Sequence, residues 1–189
     1  RRVDSLARHF NARLDSFVDA HPSTYTTEYI VPTLRPVEIP KDLGQEERKR
    51  YSQAHYLDHI DFTDPAVLYN ELLGTKLQQY VVQAMQLYGA GQLSETVDVL
   101  MRRSRDAPRV QSFLADYFLR LFGKRGPTEV LNYVRATYSE KLQDTSAAAQ
   151  KVLDRLDRLS AGQPAPKIAM KDTSGQLRSL HESLGEKLT

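Results

Sequence analysis

Apolar residues recur at every third or fourth position along most of this chain, with charged and polar residues between them. The pattern is clearest in the first twenty residues, where six apolar side chains share one predicted helix face: Val3, Leu6, Phe10, Leu14, Phe17 and Val18. Such spacing is typical of an amphipathic helix whose apolar stripe packs on a core. We therefore predict a helix over residues 1–20, ended by the HPS run that follows it.

The helical period then returns in segments that proline and glycine separate. A short helix through TTEYIV is predicted to end at Pro32, because proline disfavours a helical residue before it and lacks a backbone N–H. The RPVEIP segment, residues 35–40, predicts an extended connector. Residues 45–60 return to the helical pattern, and the Asp64-Pro65 pair is a typical helix start.

The remaining helices are predicted from their apolar faces. These faces are formed by Leu77, Tyr80, Val81, Ala84, Met85 and Tyr88, by Val97, Leu100 and Met101, by Val110, Phe113, Leu114, Tyr117, Phe118 and Leu121, by Val130, Leu131, Val134 and Tyr138, and by Val152, Leu153, Leu156 and Leu159. The predicted fold class is mainly α, an irregular bundle or stack of about eight helices.

Strand signal occurs only near the C-terminal end. The runs KIAMKD and GQLRSL meet at a TSG turn, which predicts a short β-hairpin whose glycine permits the tight turn. An isolated two-stranded hairpin is marginal in water, so this one is expected to pack on something else.

Composition narrows the function classes. The chain has 189 residues, enough for one domain of roughly 150 residues plus an appendage. Its net charge is +2 and its basic residues are interspersed with acidic ones, which argues against a nucleic-acid partner. No apolar run approaches the ~18 residues of a membrane span. Cysteine is absent, which excludes disulfides and thiol chemistry within these residues.

One polar cluster invites chemistry, in the segment that holds His55, Asp58, His59, Asp61 and Asp64. On a helix, His55 and His59 would share a face at a spacing that suits two metal ligands. The alternative is structural, because imidazoles near a helix C-terminus interact favourably with its dipole. In that interpretation Asp61 and Asp64 belong to a turn and a cap.

The aromatic residues are predicted mostly to pack. Phe62 is expected to anchor the turn after the histidines in the core, and several tyrosines fall on apolar helix faces, as at Tyr80, Tyr88, Tyr117 and Tyr138. Tyr25, Tyr29 and Tyr133 are less constrained and are candidates for an interaction surface. No glycine-rich phosphate loop or nucleophile elbow occurs, so the sequence predicts no catalytic residue and no cofactor site.

The C-terminal segment carries a family resemblance. Its pattern is formed by Gly162, Ala165, Pro166, Ile168, Asp172, Gly175, Ser179 and Leu180. It resembles the opening segment of the TlpA and AhpC/TSA branch of thioredoxin-like proteins, although Met170 stands where leucine is usual. The resemblance implies a β-hairpin ahead of the first core strand, with a Cys-x-x-Cys redox motif further along the chain. These 189 residues do not include that motif.

A second resemblance covers the helical part. HYLDHIDFTDPAVL, residues 55–68, is similar to the signature of a helical domain that precedes TlpA-like modules in exported proteins of Bacteroidota. FGKRGPTEVLNYVRATY, residues 122–138, falls where that domain has a similar loop and helix. Leu57 and Ile60 stand at positions that are commonly aromatic there.

Together the resemblances imply a helical accessory domain over residues 1–160 and, over residues 161–189, the start of a thioredoxin-like domain truncated before its redox cysteines. The implied function is that of a non-catalytic N-terminal domain of a periplasmic or cell-envelope thiol-disulfide oxidoreductase. It would position its own downstream thioredoxin-like domain or bind a client protein. The apolar side of the hairpin is expected to be uncovered or packed against a second copy, through Ile168, Met170, Leu177 and Leu180.

Two alternatives come from other classes. YGAGQLSETVDVLMRRSRDAP, residues 88–108, has the helix, turn, helix rhythm of a tetratricopeptide-like interaction module, but no second copy follows in a register of about 34 residues. A metal-dependent enzyme that uses the His55–His59 pair is the other alternative.

Overall fold

The computed structural model describes residues 2–158, 169–171, 174 and 176–179 of the chain and confirms the mainly α class. The chain divides into two compact units, Arg1–Ala149 and Gln150–Thr189. The predicted domain boundary at residue 160 stays a prediction. In the described part of the chain, no helix combines the length and apolar composition that crossing a membrane requires.

The elements follow one another with short connections. The helices are α1 (Arg2–Ala20), α2 (Val31–Leu34), α3 (Gln45–His55), α4 (Leu73–Tyr88), α5 (Leu93–Arg103), α6 (Pro108–Arg125), α7 (Thr128–Tyr138) and α8 (Ala147–Arg158). A π-helical turn covers Thr26–Ile30, and 3-10 helices cover Pro65–Tyr69, Ala90–Gln92 and Ser139–Lys141. Residues 35–40 form neither helix nor strand, and the backbone of Arg35 is extended, in agreement with the connector that the two prolines predict.

Helix α6 is central to the core of the first unit. It packs against α5, α7 and the 3-10 helix Pro65–Tyr69. Apolar side chains with no exposed surface come from four successive helices: Leu77, Val97, Leu100, Val110, Leu114, Phe118, Leu119 and Val134. Each buried side chain of this size stabilises the fold by about 1.5–3 kcal/mol. The stripes predicted for α5, α6 and α7 therefore supply the core.

Two glycines allow the chain to reverse around α4 and α6. Gly89 ends α4 with a positive φ of 76°, a conformation that side chains with a Cβ rarely adopt, and its N–H donates to the carbonyl of Met85. Gly126 follows α6, where an added Cβ would lie 2.5 Å from the Cα of Phe122. Only glycine fits so close an approach.

The predicted apolar stripe of helix α1 is only partly buried, since Leu14 and Val18 are half-buried and other members are exposed. Leu6 is 62% exposed, Phe10 44% and Phe17 41%. The opposite, polar side of α1 faces the protein, where Asp4 pairs with Arg48 and the amide of Asn11 bonds the connector. Residues 4, 11 and 15 share one helix face, and Asp15 pairs with Arg35 at 2.6 Å. These polar contacts hold α1 with its apolar face outward.

The sequence also misplaced two helix ends. The N–H of Val31 donates to the carbonyl of Thr26, and the chain continues through Pro32 to Leu34. Pro32 is tolerated because it lies in the first turn of α2, where a missing N–H costs little. Helix α3 instead ends at His55, five residues early, and turns follow.

The early end of α3 brings apolar side chains to the core. Leu57, Ile60 and Phe62 are all buried. A continued helix would direct Phe62 about 140° away from Leu57. Phe62 is 2% exposed, as predicted for a core anchor.

Two residues of the predicted α4 stripe are partly exposed, Met85 at 42% and Tyr88 at 39%. Met85 lies about 90° from the centre of the buried face of α4, and Tyr88 is the last residue of the helix.

In the second unit, two strands lie within the runs predicted to form a hairpin. β1 (Ala169–Lys171) pairs antiparallel with β2 (Leu177–Ser179), and Met170 lies opposite Arg178. Met170 is 66% exposed. Ile168 and Leu180 lie outside the described residues, and only the backbone of Leu177 is described, so the predicted apolar surface of the hairpin stays a prediction.

Candidate functional site

A polar cleft lies between α1, the extended connector, α3 and the turn that follows α3. Its volume is about 290 Å³. The side chains that line it are Asn11, Asp15, Arg35, Val37, Glu38, Tyr51, His55, Asp58 and His59. We call it the histidine cleft, since it brings together both histidines of the predicted polar cluster.

His55 is held by an aspartate and an aromatic ring. Its Nδ1 lies 2.5 Å from Oδ2 of Asp58, and its ring centroid lies 4.1 Å from that of Tyr51. Oδ1 of Asp58 accepts from Arg103 at 2.9 Å. Burial alone would raise the pKa of Asp58, but the hydrogen bonds from His55 and Arg103 lower it overall. His55 is therefore fixed in a hydrogen-bond network that connects the end of α3 to α5.

His59 lies in the turn after α3, not on the helix, yet it lines the same cleft. Burial lowers its pKa, and the positive charge of Arg35 lowers it further. His59 is nevertheless exposed to solvent, and both effects favour the neutral form of its ring. Among the described residues, no three histidine, cysteine, aspartate or glutamate side chains are grouped so as to hold a metal ion. The described residues therefore offer no set of ligands for the hypothesised metal site.

The sequence did not single out Asn11 and Glu38, which also line the cleft. Nδ2 of Asn11 donates to Oε1 of Glu38 at 2.7 Å and to the carbonyl of Pro36 at 3.3 Å. A flipped amide would point its oxygen at two acceptors, so these contacts fix its orientation. The signal for Asn11 was its place on one helix face with Asp4 and Asp15, which makes that face unusually polar.

The aspartates after the cleft have structural roles. Asp61 accepts from the N–H and hydroxyl of Thr63, at 2.8 and 2.7 Å. Asp64 caps the 3-10 helix by accepting from the N–H of Ala66 at 2.9 Å. The interpretation of these two residues as a turn and a cap is confirmed.

Tyr29 is tied to the Asp64 cap. Its hydroxyl donates to Oδ2 of Asp64 at 2.5 Å, which raises the pKa of Tyr29 to about 12 and lowers that of Asp64. Tyr25 stacks on Tyr29 with ring centroids 4.9 Å apart and is 41% exposed. Of this pair, Tyr25 presents the exposed ring.

The hydroxyl of Tyr133 is hydrogen-bonded to a neighbouring helix. Its hydroxyl lies 2.8 and 2.9 Å from the two carboxylate oxygens of Asp98, and the hydroxyl of Tyr138 donates to the same carboxylate at 2.6 Å. These contacts connect α7 to α5. The hydrogen bond to Asp98 raises the pKa of Tyr133, whereas burial first and then the same carboxylate raise the pKa of Tyr138. The structure thus gives Tyr133 a part in helix packing.

A larger groove of about 590 Å³ lies between α3 and α4. Its charged residues are paired, Lys49 with Glu46 at 2.7 Å and Arg48 with Asp4. What remains is a neutral lining of glutamines, a serine and two aliphatic side chains. The groove presents hydrogen-bonding groups and no unpaired charge.

The second candidate site is the outward side of α1. Leu6, Phe10 and Phe17 lie on one face of the helix, and Arg13 is exposed among them. We call these four residues the α1 outer face. An apolar group of this kind on a protein surface is typical of an interaction site.

Fold and sites together define a mainly helical protein with a small polar cleft and an outward-facing apolar helix. Comparison with protein-family models, curated proteins and solved structures found no match for the chain.

Proposed function

We propose that the chain is the non-catalytic N-terminal accessory part of an exported thiol-disulfide oxidoreductase, located in the periplasm or cell envelope. In this proposal the helices bind a client protein or position a thioredoxin-like domain that follows them. Electrons pass through cysteines beyond residue 189, because the 189 residues contain none.

The observation that carries the binding role is the α1 outer face. A helix that lies on a protein surface normally turns its apolar stripe inward. Here three polar contacts fix the opposite orientation, so Leu6, Phe10 and Phe17 face outward. Exposing this stripe is unfavourable for an isolated protein, and covering it with a partner removes apolar surface from water.

The C-terminal strands support the connection to a redox domain. β1 and β2 pair antiparallel at the place where the resemblance implies a hairpin. A two-stranded sheet of three-residue strands is not stable by itself in water. The need for further packing agrees with a proposal in which the hairpin belongs to a larger thioredoxin-like domain.

The first test is to sequence the gene beyond Thr189 and to assay the complete protein. We expect a Cys-x-x-Cys motif after the hairpin and reduction of a mixed disulfide between glutathione and a protein substrate. A Phe10→Glu, Phe17→Glu double variant should slow reduction of the protein disulfide several-fold. It should reduce a small aromatic disulfide at the wild-type rate, because that substrate needs no docking surface.

Val82→Glu is the matched control, since Val82 is an equally exposed apolar residue, 46%, on a different helix. If this variant slows protein reduction as much as the α1 double variant, the α1 outer face is not the docking site. A coding sequence that lacks the Cys-x-x-Cys motif would remove the oxidoreductase proposal altogether.

One observation favours the second candidate, a free-standing helical interaction module. Helices α3 to α7 pack on their neighbours in chain order, as helices do in a solenoid. This candidate predicts a protein without a redox motif after Thr189. Gene sequencing therefore decides between the two.

A further inference from the structure

The ion pairs of the histidine cleft leave one carboxylate without a cation. Asp15 is paired with Arg35 at 2.6 Å, and Asp58 with Arg103 at 2.9 Å. Glu38 accepts from the neutral amide of Asn11 and, among the described residues, has no cation within 4 Å. The cleft therefore has one unbalanced negative charge in its wall.

The same wall has an acceptor without a donor. Asn11 is 6% exposed, and its Oδ1 has no hydrogen-bond partner in the described part of the chain. A buried amide oxygen left in this way carries the desolvation cost of an unmade hydrogen bond. Solvent does not reach Oδ1 of Asn11, so a donor in the cleft bonds it only if a neighbouring side chain moves. Such a donor displaces no water from this oxygen.

From this geometry we infer that the histidine cleft binds a primary ammonium group, which donates to the carboxylate of Glu38 and to Oδ1 of Asn11. Both groups are acceptors, and one of them is charged. The third N–H of the ammonium group is left for solvent or for a cleft wall.

An ammonium group fits better than a guanidinium. A guanidinium prefers two parallel hydrogen bonds to both oxygens of one carboxylate, and Nδ2 of Asn11 already takes one lone pair of Oε1 of Glu38, for which such a pair would compete. The compact point charge of an ammonium needs only the second oxygen. Around pH 7 the neutral ring of His59 adds no positive charge against the ligand, since burial lowers its pKa.

Nearby cations do not take this place. Arg35 is engaged with Asp15, and Nζ of Lys76 lies 3.3 Å from the carbonyl of Arg35 and 4.2 Å from the centroid of the Tyr56 ring. The ammonium of Lys76 is thus held by that carbonyl and that ring, and its charge contributes to lowering the pKa of His59. Among the described residues, none brings an ammonium group to Glu38, so the ligand is a free aliphatic amine or a lysine side chain of a polypeptide.

The inference does not rest on the proposed function, and binding can be measured without a redox assay. Calorimetric titrations at low ionic strength would use two ammonium probes, n-pentylamine and N-acetyl-lysine-N-methylamide. The neutral isostere of the first is n-pentanol, and that of the second is N-acetyl-norleucine-N-methylamide. We expect at least one ammonium probe to bind and both isosteres to fail. Binding of both ammonium probes indicates a site open to free amines, and binding of the lysine derivative alone indicates a polypeptide ligand.

The decisive variant is Glu38→Gln, which keeps an oxygen for Asn11 and removes the charge. We expect it to weaken ammonium binding about tenfold, the loss of one charge-assisted hydrogen bond. Glu140→Gln, at an exposed carboxylate away from the cleft, should bind as the wild type does. In NMR spectra, the side-chain amide signals of Asn11 should shift with the bound fraction.

No binding of either ammonium probe at millimolar concentration would overturn the inference. Equal affinity of the wild type and a folded Glu38→Gln variant would overturn it as well.

Discussion

Helices α1 and α6 are both amphipathic by sequence, but they pack with opposite sides. In α6 the apolar residues Val110, Leu114 and Phe118 have no exposed surface. In α1 the apolar residues Leu6, Phe10 and Phe17 face outward. Packing orientation therefore depends on what a helix meets, and the apolar stripe alone does not determine it.

The difference has a physical cause in the partners of each helix. Helix α6 lies among α5, α7 and a 3-10 helix, so several apolar surfaces can pack on it. Helix α1 meets the extended connector and α3 through Arg35, Glu38 and Arg48. Polar groups removed from water need partners, and the polar side of α1 supplies them.

The largest expected effect is in α6. Phe118→Ala should lower the free energy of unfolding by about 3–5 kcal/mol, because it leaves a cavity beside Phe122, whose ring centroid lies 6.0 Å away. Urea denaturation followed by circular dichroism measures this loss. A loss below about 1 kcal/mol would contradict the central position of α6 in the core.

Asn11→Leu should have an intermediate effect. The substitution removes the donor for Glu38 and Pro36 and should destabilise the protein by about 1–2 kcal/mol. Asn132→Leu, at an exposed position of α7, is the control and should change stability little. Equal urea midpoints for the two variants would show that the polar contacts of α1 contribute nothing.

A smaller effect is expected from pH through His59. In the folded protein, burial lowers the pKa of the His59 ring below its ordinary value of 6.5. As the pH falls, the unfolded chain therefore takes up a proton before the folded protein does. The stability present above pH 6.5 should decrease as the pH falls through the lower pKa of the folded state. His59→Gln should flatten this decrease in thermal melts recorded from pH 7.5 down to about pH 5.

The smallest effect should come from the α1 outer face. Phe10→Ala is expected to change the free energy of unfolding by less than about 0.5 kcal/mol, since the ring is 44% exposed. Because Phe10→Ala and Phe118→Ala remove the same ring, their losses of unfolding free energy can be compared directly. A loss from Phe10→Ala close to that from Phe118→Ala would mean that this face is covered within the folded chain.

Much of the helical framework could be predicted from spacing and local signals. The stripes of α5 to α7 lie in the core, Asp64 caps the helix that it was predicted to start, and the prolines at residues 36 and 40 bound an extended connector. These features depend on residues close in sequence, where period, caps and proline chemistry act.

Only some of the residues of the histidine cleft could be predicted from the sequence. His55 and His59 stood out by their spacing, but α3 ends at His55, so the two histidines do not share one helix face. Asn11 and Glu38 are 27 positions apart and show no joint pattern. Their contact exists because α1 lies along the connector, a relation that no local rule contains.

By itself, the sequence determined that the protein is mainly helical, where most helices lie, and which apolar residues of α5 to α7 fill the core. Local backbone preferences and a regular apolar period are sufficient for these features. Only the tertiary structure decided that α1 turns its polar side inward and that Asn11 and Glu38 meet at one cleft wall. Both depend on polar groups distant in the chain, each of which must find a partner once it is removed from water.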